Sequence, residues 1–179
     1  MRIIAGKFKS RLINYPKNNQ TRPTKDNVRL AIFNVLNDLV NDTIVLDLFS
    51  GSGAYGIEAI SRGAKFCYFN DQNYLAYKCI KDNLETLKIT NYALYKQDYR
   101  LVLNLLKTEN IKIDLLFLDP PYFKEFYNEV LDLAKYILTK DSVVILEIDK
   151  KVDFILNEEY EIIKEKIYGD QKVLFINLL

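Results

Sequence analysis

The sequence contains no histidine, no tryptophan and only two cysteines among its 179 residues. Without histidine it cannot form a Ser-His-Asp triad, a Cys-His pair or a His-ligated metal site, and two cysteines are too few for a zinc cluster. We therefore expect no bound metal. The sequence also lacks a run of about 18 apolar residues, which excludes a membrane-spanning helix.

The N-terminus has no apolar core of the kind that secretory signals carry, so a cytoplasmic location is expected. In that reducing compartment Cys67 and Cys79 are expected to be buried thiols rather than a disulfide. Glycine and proline are also scarce, at six and four residues, whereas 49% of the chain is hydrophobic. This composition excludes disordered and collagen-like proteins and predicts a globular domain with a substantial core.

The net charge of +1 conceals a strong asymmetry along the chain. Residues 1–29 carry eight basic side chains and one acid, whereas the remaining 150 residues carry 17 basic and 23 acidic ones. A basic segment on an acidic body is the pattern expected when one face binds a polyanion. A solvated, flexible N-terminus would show the same pattern, so the charge alone leaves both interpretations open.

Hydrophobic periodicity divides the chain into a small N-terminal part and a larger domain. Strand-like runs at 2–5 and 10–14 predict a hairpin, and we assign residues 1–24 to a basic N-terminal arm and residues 25–179 to the main domain. Thr24 is a good N-cap for an amphipathic helix. From residue 43 onward, strands alternate with helical patterns. Strands are predicted at 44–49, 66–70, 92–96, 113–118 and 143–148, and helices from 54 to 62, at 74–87, near 101–106 and at 126–138.

This alternation predicts a doubly wound, mostly parallel sheet. Two further strand-like runs, 160–167 and 172–178, flank Gly169 and predict a terminal antiparallel hairpin. The expected fold is therefore α/β, a Rossmann-like sheet of seven strands that ends in this hairpin.

A glycine-rich turn follows the first strand of the alternating region. Gly51, Gly53 and Gly56 match the G-x-G-x-x-G pattern of dinucleotide-binding proteins. Such glycines let a nucleotide approach the backbone at the start of the next helix. Taken alone, they would indicate a nicotinamide or flavin enzyme.

Asp47, just before this turn, favours a different cofactor. A carboxylate there would repel a pyrophosphate but attract a cation. S-adenosylmethionine (SAM) carries a sulfonium and an α-ammonium, and the ammonium can donate a hydrogen bond to such a carboxylate. Asp71 and Asp98 follow the next two strands and could accept hydrogen bonds from the ribose hydroxyls and from the adenine amine. Three acids at successive strand ends predict a ligand crevice along one edge of the sheet.

The most specific motif is Asp119-Pro120-Pro121-Tyr122, directly after the apolar strand 113–118. Two prolines fix the backbone and remove two N–H donors, so the Asp119 side chain and the Pro120 carbonyl remain as rigid acceptors. An exocyclic amine can donate one N–H to each, which directs its lone pair toward a methyl donor. Tyr122 offers a ring on which a base can stack.

The segments 47–56 and 119–122 resemble the motifs of class I SAM-dependent methyltransferases that modify exocyclic or amide nitrogens. The whole chain resembles one family more closely, the bacterial RsmD-type small-subunit ribosomal RNA guanine-N2 methyltransferases. Asp71 stands where this family often has glutamate. The resemblance is also carried by Arg2-Ile3-Ile4-Ala5-Gly6-Lys7, Arg22-Pro23-Thr24, Asp26, Val28-Arg29, Phe33-Asn34, Leu36, Glu165-Lys166 and Gly169.

The resemblance implies methyl transfer from SAM to the N2 amine of a guanine in small-subunit ribosomal RNA, by a monomer. It implies cofactor contacts from Asp47, Phe49, Gly51, Gly53, Asp71 and Asp98, and catalytic roles for Asp119, Pro120, Pro121 and Tyr122. We expect the phosphates of the RNA to be bound by Lys7, Lys9, Arg11, Arg22 and Arg29. Arg22 and Thr24 could instead close over the cofactor.

Three other functions fit parts of the sequence. An adenine-N6 or protein-amide methyltransferase would share the motif at 119–122. A nicotinamide-dependent oxidoreductase would explain the glycines but neither Asp47 nor the segment 119–122. A non-catalytic RNA-binding assembly factor would explain the basic N-terminus.

Overall fold

The computed structural model describes residues 1–16, 26–120 and 124–179. Within them, five α-helices and seven β-strands alternate over most of the chain, as the periodicity predicts. The helices are α1 (Asp26–Leu36), α2 (Ala54–Ser61), α3 (Tyr74–Leu87), α4 (Tyr99–Thr108) and α5 (Lys124–Ala134). The strands are β1 (Ile44–Asp47), β2 (Phe66–Asn70), β3 (Tyr92–Tyr95), β4 (Leu115–Leu118), β5 (Val143–Asp149), β6 (Tyr160–Tyr168) and β7 (Gln171–Leu178).

The seven strands form one sheet in the order β3-β2-β1-β4-β5-β7-β6. Strands β1 to β5 are parallel to one another, and β7 pairs antiparallel with both β5 and β6. The predicted α/β fold and its terminal hairpin are confirmed. Because the order reverses between β1 and β4, a crevice opens there at the carboxyl ends of the strands.

The element boundaries differ from the predicted ones where a side chain, rather than periodicity, sets them. Helix α4 starts at Tyr99, two residues before the predicted helix, because the Asp98 carboxylate accepts the backbone N–H of Arg100 at 2.9 Å and caps the helix. The predicted N-terminal hairpin is reduced to a single antiparallel bridge between Arg2 and Leu12.

Helices cover both faces of the sheet, and each face has its own core. Val45, Phe117 and Ile145 face helices α1, α2 and α3. The alternate residues of the same strands face α4 and α5. The central strands are therefore buried on both sides, which explains why the sequence of β4 is entirely apolar.

The first sixteen residues are part of this structure rather than a free arm. Ile3 and Ile13 are buried in the core that α1, α2 and α3 share. Gly6 adopts a positive φ of 78°, and a Cβ there would lie 1.8 Å from the carbonyl oxygen of Ser61 at the end of α2. Only glycine permits so close an approach. The boundary that we predicted at residue 24 lies outside the described residues.

A buried carboxylate fixes this segment to α2. Glu58 is 1% exposed and accepts the backbone N–H groups of Ile4 and Ala5 at 2.8 and 3.0 Å. It also accepts the Nε–H of Arg62 at 2.7 Å, and the Nε of Arg29 lies 3.8 Å away. With these partners Glu58 joins three separate segments of the chain.

Arg29 is a structural cation, so the prediction that it binds an RNA phosphate is wrong. Its side chain is 0% exposed and donates hydrogen bonds to Asp26 and to the carbonyl oxygen of Arg2. The burial follows from its place on α1, where it shares a face with Val28, Ile32 and Phe33. A guanidinium enclosed in this way is not available to a phosphate.

We predict that Glu58→Gln lowers the free energy of unfolding by about 3 kcal/mol, because it leaves Arg29 buried beside a neutral amide. Urea unfolding measures the change. Glu85→Gln is a matched control, since the Glu85 carboxylate pairs with Lys81 at 3.8 Å on the exposed face of α3 and should cost under about 1 kcal/mol. Equal losses in the two variants would contradict a special role for the buried pair.

Candidate active site

The carboxyl edge of the sheet gathers most of the acids that the sequence singles out. Asp47 is the last residue of β1, and Asp71, Asp98 and Asp119 follow β2, β3 and β4 within a few residues. Because these strands are parallel neighbours, all four acids lie along one edge. This is the edge at which the sequence predicts a ligand crevice.

The glycine-rich loop turns sharply between β1 and α2. Gly51 and Gly53 have positive φ values of 55° and 79°, and the backbone N–H of Gly53 donates to the carbonyl oxygen of Ser50 at 2.7 Å. The backbone N–H of Gly51 donates to Oδ2 of Asp71 at 2.9 Å. This bond holds the loop against the end of β2 and leaves the start of α2 facing the crevice.

Asp47 is the most strongly perturbed acid in the crevice. It is 2% exposed, and its Oδ2 accepts the backbone N–H of Gly56 at 3.0 Å. Burial, together with the smaller effect of the negative charges of Asp119 and Asp71, raises the pKa of this carboxyl to about 7, against the hydrogen bond from Gly56. Such a group is stabilised in its ionised form by a cation.

Asp71 and Asp98 already make bonds within the protein. Asp71 accepts backbone N–H groups from Gly51 and Asn73, both at 2.9 Å, while burial raises its pKa. Asp98 caps α4, and its Oδ2 lies 3.3 Å from Nη1 of Arg100. Its side chain is 42% exposed, so it keeps room for a further donor.

Asn70, which sequence reasoning missed, connects the ends of three strands. Its side-chain amide donates to the carbonyl oxygens of Leu48 and Gln97 at 3.3 and 3.1 Å and accepts the backbone N–H of Gln97 at 3.1 Å. Its backbone exchanges hydrogen bonds with Ser50 at 2.9 and 3.1 Å. Asn70 therefore sets the spacing of the loops that carry Asp47, Asp71 and Asp98. An asparagine at a strand end resembles an ordinary turn residue, so its role cannot be recognised from the sequence.

Phe49 forms an apolar wall on the other face of the crevice. Its ring lies 5.7 Å from the ring of Tyr99 and 5.4 Å from that of Phe126. Phe49 is only partly buried, so the wall is open on one side. A flat aromatic group of a ligand could pack there.

Asp119 and Pro120 stand where β4 leaves the sheet. Burial raises the pKa of the Asp119 carboxyl to about 6, and its charge acts on Asp47 in the neighbouring strand. The ionisation of Asp47 therefore depends on the charge of Asp119. Pro121 and Tyr122 lie outside the described residues.

The predicted phosphate-binding cations lie away from this edge. Lys7, Lys9 and Arg11 are exposed on the N-terminal segment, and the backbone N–H of Lys7 donates to Ser61 at the far end of α2. Eight helical residues separate that end from the glycine loop, a distance of about 12 Å. Arg22 and Thr24 lie outside the described residues. Lys7, Lys9 and Arg11 could reach only RNA that extends beyond the target nucleotide.

The acidic side chains of the crevice suit an organic cation better than a metal ion or a pyrophosphate. Within the described parts of the chain, no three carboxylate or thiol side chains are grouped closely enough to hold a metal ion. Asp47, Asp71 and Asp119 together make the crevice negative, which disfavours a second anion. The sulfonium and ammonium of SAM fit this arrangement.

Comparison with known proteins agrees with the geometry. A family described as conserved hypothetical protein 95 matches residues 1–177. Ribosomal RNA small subunit methyltransferase D of Buchnera aphidicola (subspecies Acyrthosiphon pisum) is 32% identical over 168 residues, which cover 92% of this chain and 86% of that protein. Its counterpart in Haemophilus influenzae is 30% identical over 94% of this chain and 89% of its own length.

The fold is also found among solved structures. A conserved hypothetical protein from Streptococcus pyogenes is 35% identical and superposes with a TM-score of 0.75 over 84% of this chain and 95% of that chain. A SAM-dependent methyltransferase from Streptococcus mutans shares the fold at 15% identity, with a TM-score of 0.72 over 89% of this chain and 50% of that chain. The chain thus belongs to the RsmD family of ribosomal RNA small subunit methyltransferases.

Proposed function

We propose that the protein transfers the methyl group of SAM to the exocyclic N2 amine of a guanine in small-subunit ribosomal RNA. The observation that carries the proposal is the position of Asp119 and Pro120. They follow the central strand β4, and the Asp119 charge acts on the buried Asp47. The names of the relatives, ribosomal RNA small subunit methyltransferase D, support the choice of RNA.

Different residues at the carboxyl edge would contact different parts of the cofactor. Asp47 would accept a hydrogen bond from the α-ammonium, Asp71 from the ribose hydroxyls, and Asp98 from the adenine amine. Gly51 and Gly53 let the backbone come close to the cofactor, and Phe49 packs against it. When bound, SAM supplies a methyl group made electrophilic by its positively charged sulfur.

Asp119 and Pro120 would position the acceptor nitrogen. The Asp119 carboxylate and the Pro120 carbonyl oxygen each accept one N–H of the guanine N2 amine, which directs its lone pair at the methyl carbon. The N–C bond forms as the S–CH3 bond breaks, and the electron pair stays on sulfur. The nitrogen then loses one proton, to Asp119 or to water. A paired guanine cannot present its N2 amine, so the base must be unpaired or flipped out.

The remaining contacts are proposed from the family resemblance and from the exposure of the basic side chains. Tyr122, next to Pro121, would stack on the flipped base, and Arg22 would join Lys7, Lys9 and Arg11 in binding the RNA backbone.

We propose that the protein acts as a monomer in the cytoplasm, on an assembled or assembling ribosomal subunit. In the described residues no helix is long and apolar enough to cross a membrane.

The proposal predicts the product of the reaction. Small ribosomal subunits or their RNA, incubated with labelled SAM and then digested, should yield labelled N2-methylguanosine. Asp119→Ala should lower the transfer rate at least about a hundredfold, because it removes one of two acceptors for the amine, and should leave SAM affinity within a few fold. Label in N6-methyladenosine would overturn the guanine assignment, and full activity of Asp119→Ala would overturn the proposed role of Asp119.

Binding of SAM should depend on pH through Asp47. Its pKa is raised to about 7, so the free protein carries a proton there at lower pH that must be released before the ammonium can bind. The affinity measured by calorimetry should fall up to about tenfold per pH unit below pH 7, and it should fall again above about pH 8, where the α-ammonium of SAM loses its proton. Asp47→Asn should bind SAM more weakly at pH 8 and lose most of this dependence. The same pH profile in both proteins would show that Asp47 does not bind the ammonium.

The exposed cations of the N-terminal segment should set the salt dependence of RNA binding. Replacing Lys7, Lys9 and Arg11 together by alanine should reduce the slope of log K against log salt by about 2 to 3, because each phosphate contact contributes about 0.7 to 0.9. A control triple variant changes Lys107, Lys164 and Lys166, exposed cations on α4 and β6. An unchanged slope in the first variant, or an equal loss in the control, would refute this role.

A further inference from the structure

Glu147 is a buried acid beside the active site that the proposed mechanism does not use. It lies in β5, one residue after Leu146, which pairs in register with Leu118 of β4. Asp119 is one residue after Leu118. Glu147 and Asp119 therefore each directly follow a paired residue, at the carboxyl edge of two neighbouring strands. Side chains in the same row of parallel strands project to the same face.

The surroundings of Glu147 leave part of its carboxylate without a partner. The residue is 2% exposed, and its Oε2 accepts a hydrogen bond from Nε2 of Gln171 at 3.1 Å. Its Oε1 is also buried and has no hydrogen-bond partner among the described residues. The neighbours in its strand are apolar, and burial raises the pKa of the carboxyl to about 7.

An unpartnered buried acceptor is unfavourable for the folded protein. Buried polar atoms in native structures nearly always have a partner, and the exceptions call for a functional explanation. Gln171 accounts for only one of the two oxygens. A purely structural role in joining β5 to β7 would need no more than that bond, and it leaves the buried Oε1 without a partner.

We propose that Glu147 selects guanine as the acceptor base by accepting a hydrogen bond from its N1–H. This inference rests on the proposed function. In guanine the N1–H is next to the N2 amine on the Watson–Crick edge, so an amine held by Asp119 and Pro120 brings the N1–H toward the next strand. Adenine has a lone pair at N1, which the carboxylate repels when it is ionised. Asp119 and Pro120 recognise only an amine, whereas Glu147 would distinguish the ring that carries it.

The test uses 2-aminopurine, which keeps the amine at position 2 but has no hydrogen on N1. RNA substrates with guanine or 2-aminopurine at the acceptor position are methylated in competition, and the ratio of kcat/KM values is measured. The wild-type protein should prefer guanine by about 10- to 100-fold, the effect of one hydrogen bond to a charged group. In Glu147→Ala and Glu147→Gln this preference should fall at least about tenfold.

Two controls separate this inference from the alternatives. Asp149→Asn changes the next acid of β5, whose Oδ1 accepts the backbone N–H of Lys151, and should leave the preference unchanged. The Glu147 variants should keep SAM affinity and melting temperature within small changes. If Glu147 is only structural, methylation of both substrates falls together and their ratio stays constant, which overturns the inference. If the wild-type protein does not methylate guanine at all, the proposed function fails instead.

Discussion

The active site depends on one unfavourable interaction, the burial of the Asp47 carboxylate close to two other acids. Water is excluded from Asp47, and the charges of Asp119 and Asp71 oppose its ionisation. Only one backbone N–H, from Gly56, is directed at its Oδ2. A bound cation would relieve this unfavourable energy, which is why we propose that the glycine loop belongs to a SAM site and not to a pyrophosphate site. Asn70 holds the surrounding strand ends so that the acids stay close together.

The buried acids of this fold fall into two kinds. Glu58 is surrounded by donors, with two backbone N–H groups and the Arg62 guanidinium within 3.0 Å, and it has a structural role. Asp47 and Glu147 have fewer partners than their oxygens can accept, and both lie at the carboxyl edge. The number of hydrogen bonds made by each acid therefore separates the group that holds the N-terminal segment from the groups available to ligands.

The sequence predicted the architecture well because the pattern of a parallel sheet is local. The central strands β1, β4 and β5 are buried on both faces and appear as apolar runs, and the glycines and Asp47 mark the first strand end. The segment 119–122 could be recognised because two consecutive prolines after an apolar strand are rare. Each of these signals lies within a short stretch of sequence, so it can be interpreted without knowledge of the fold.

The errors concern charges whose surroundings are set by distant parts of the chain. Arg29 was counted with the exposed cations, although it lies on the apolar face of α1 with Val28 and Phe33, a signal that the helical pattern contained. The basic segment was expected to project as an arm, but its backbone is bonded to Glu58, more than fifty residues away. Glu147 could have been noticed as the single acid among the apolar residues of 143–148. Its proximity to Asp119 follows only from the strand register.

The most direct test of this account is the titration of Asp47 by carbon-13 NMR of its carboxyl group, assigned with Asp47→Asn. In the free protein we predict that this carboxyl titrates near pH 7. With saturating SAM it should remain ionised across that range, because the bound cation stabilises the carboxylate. Titration near the ordinary aspartate value of about 4, both with and without SAM, would contradict the account.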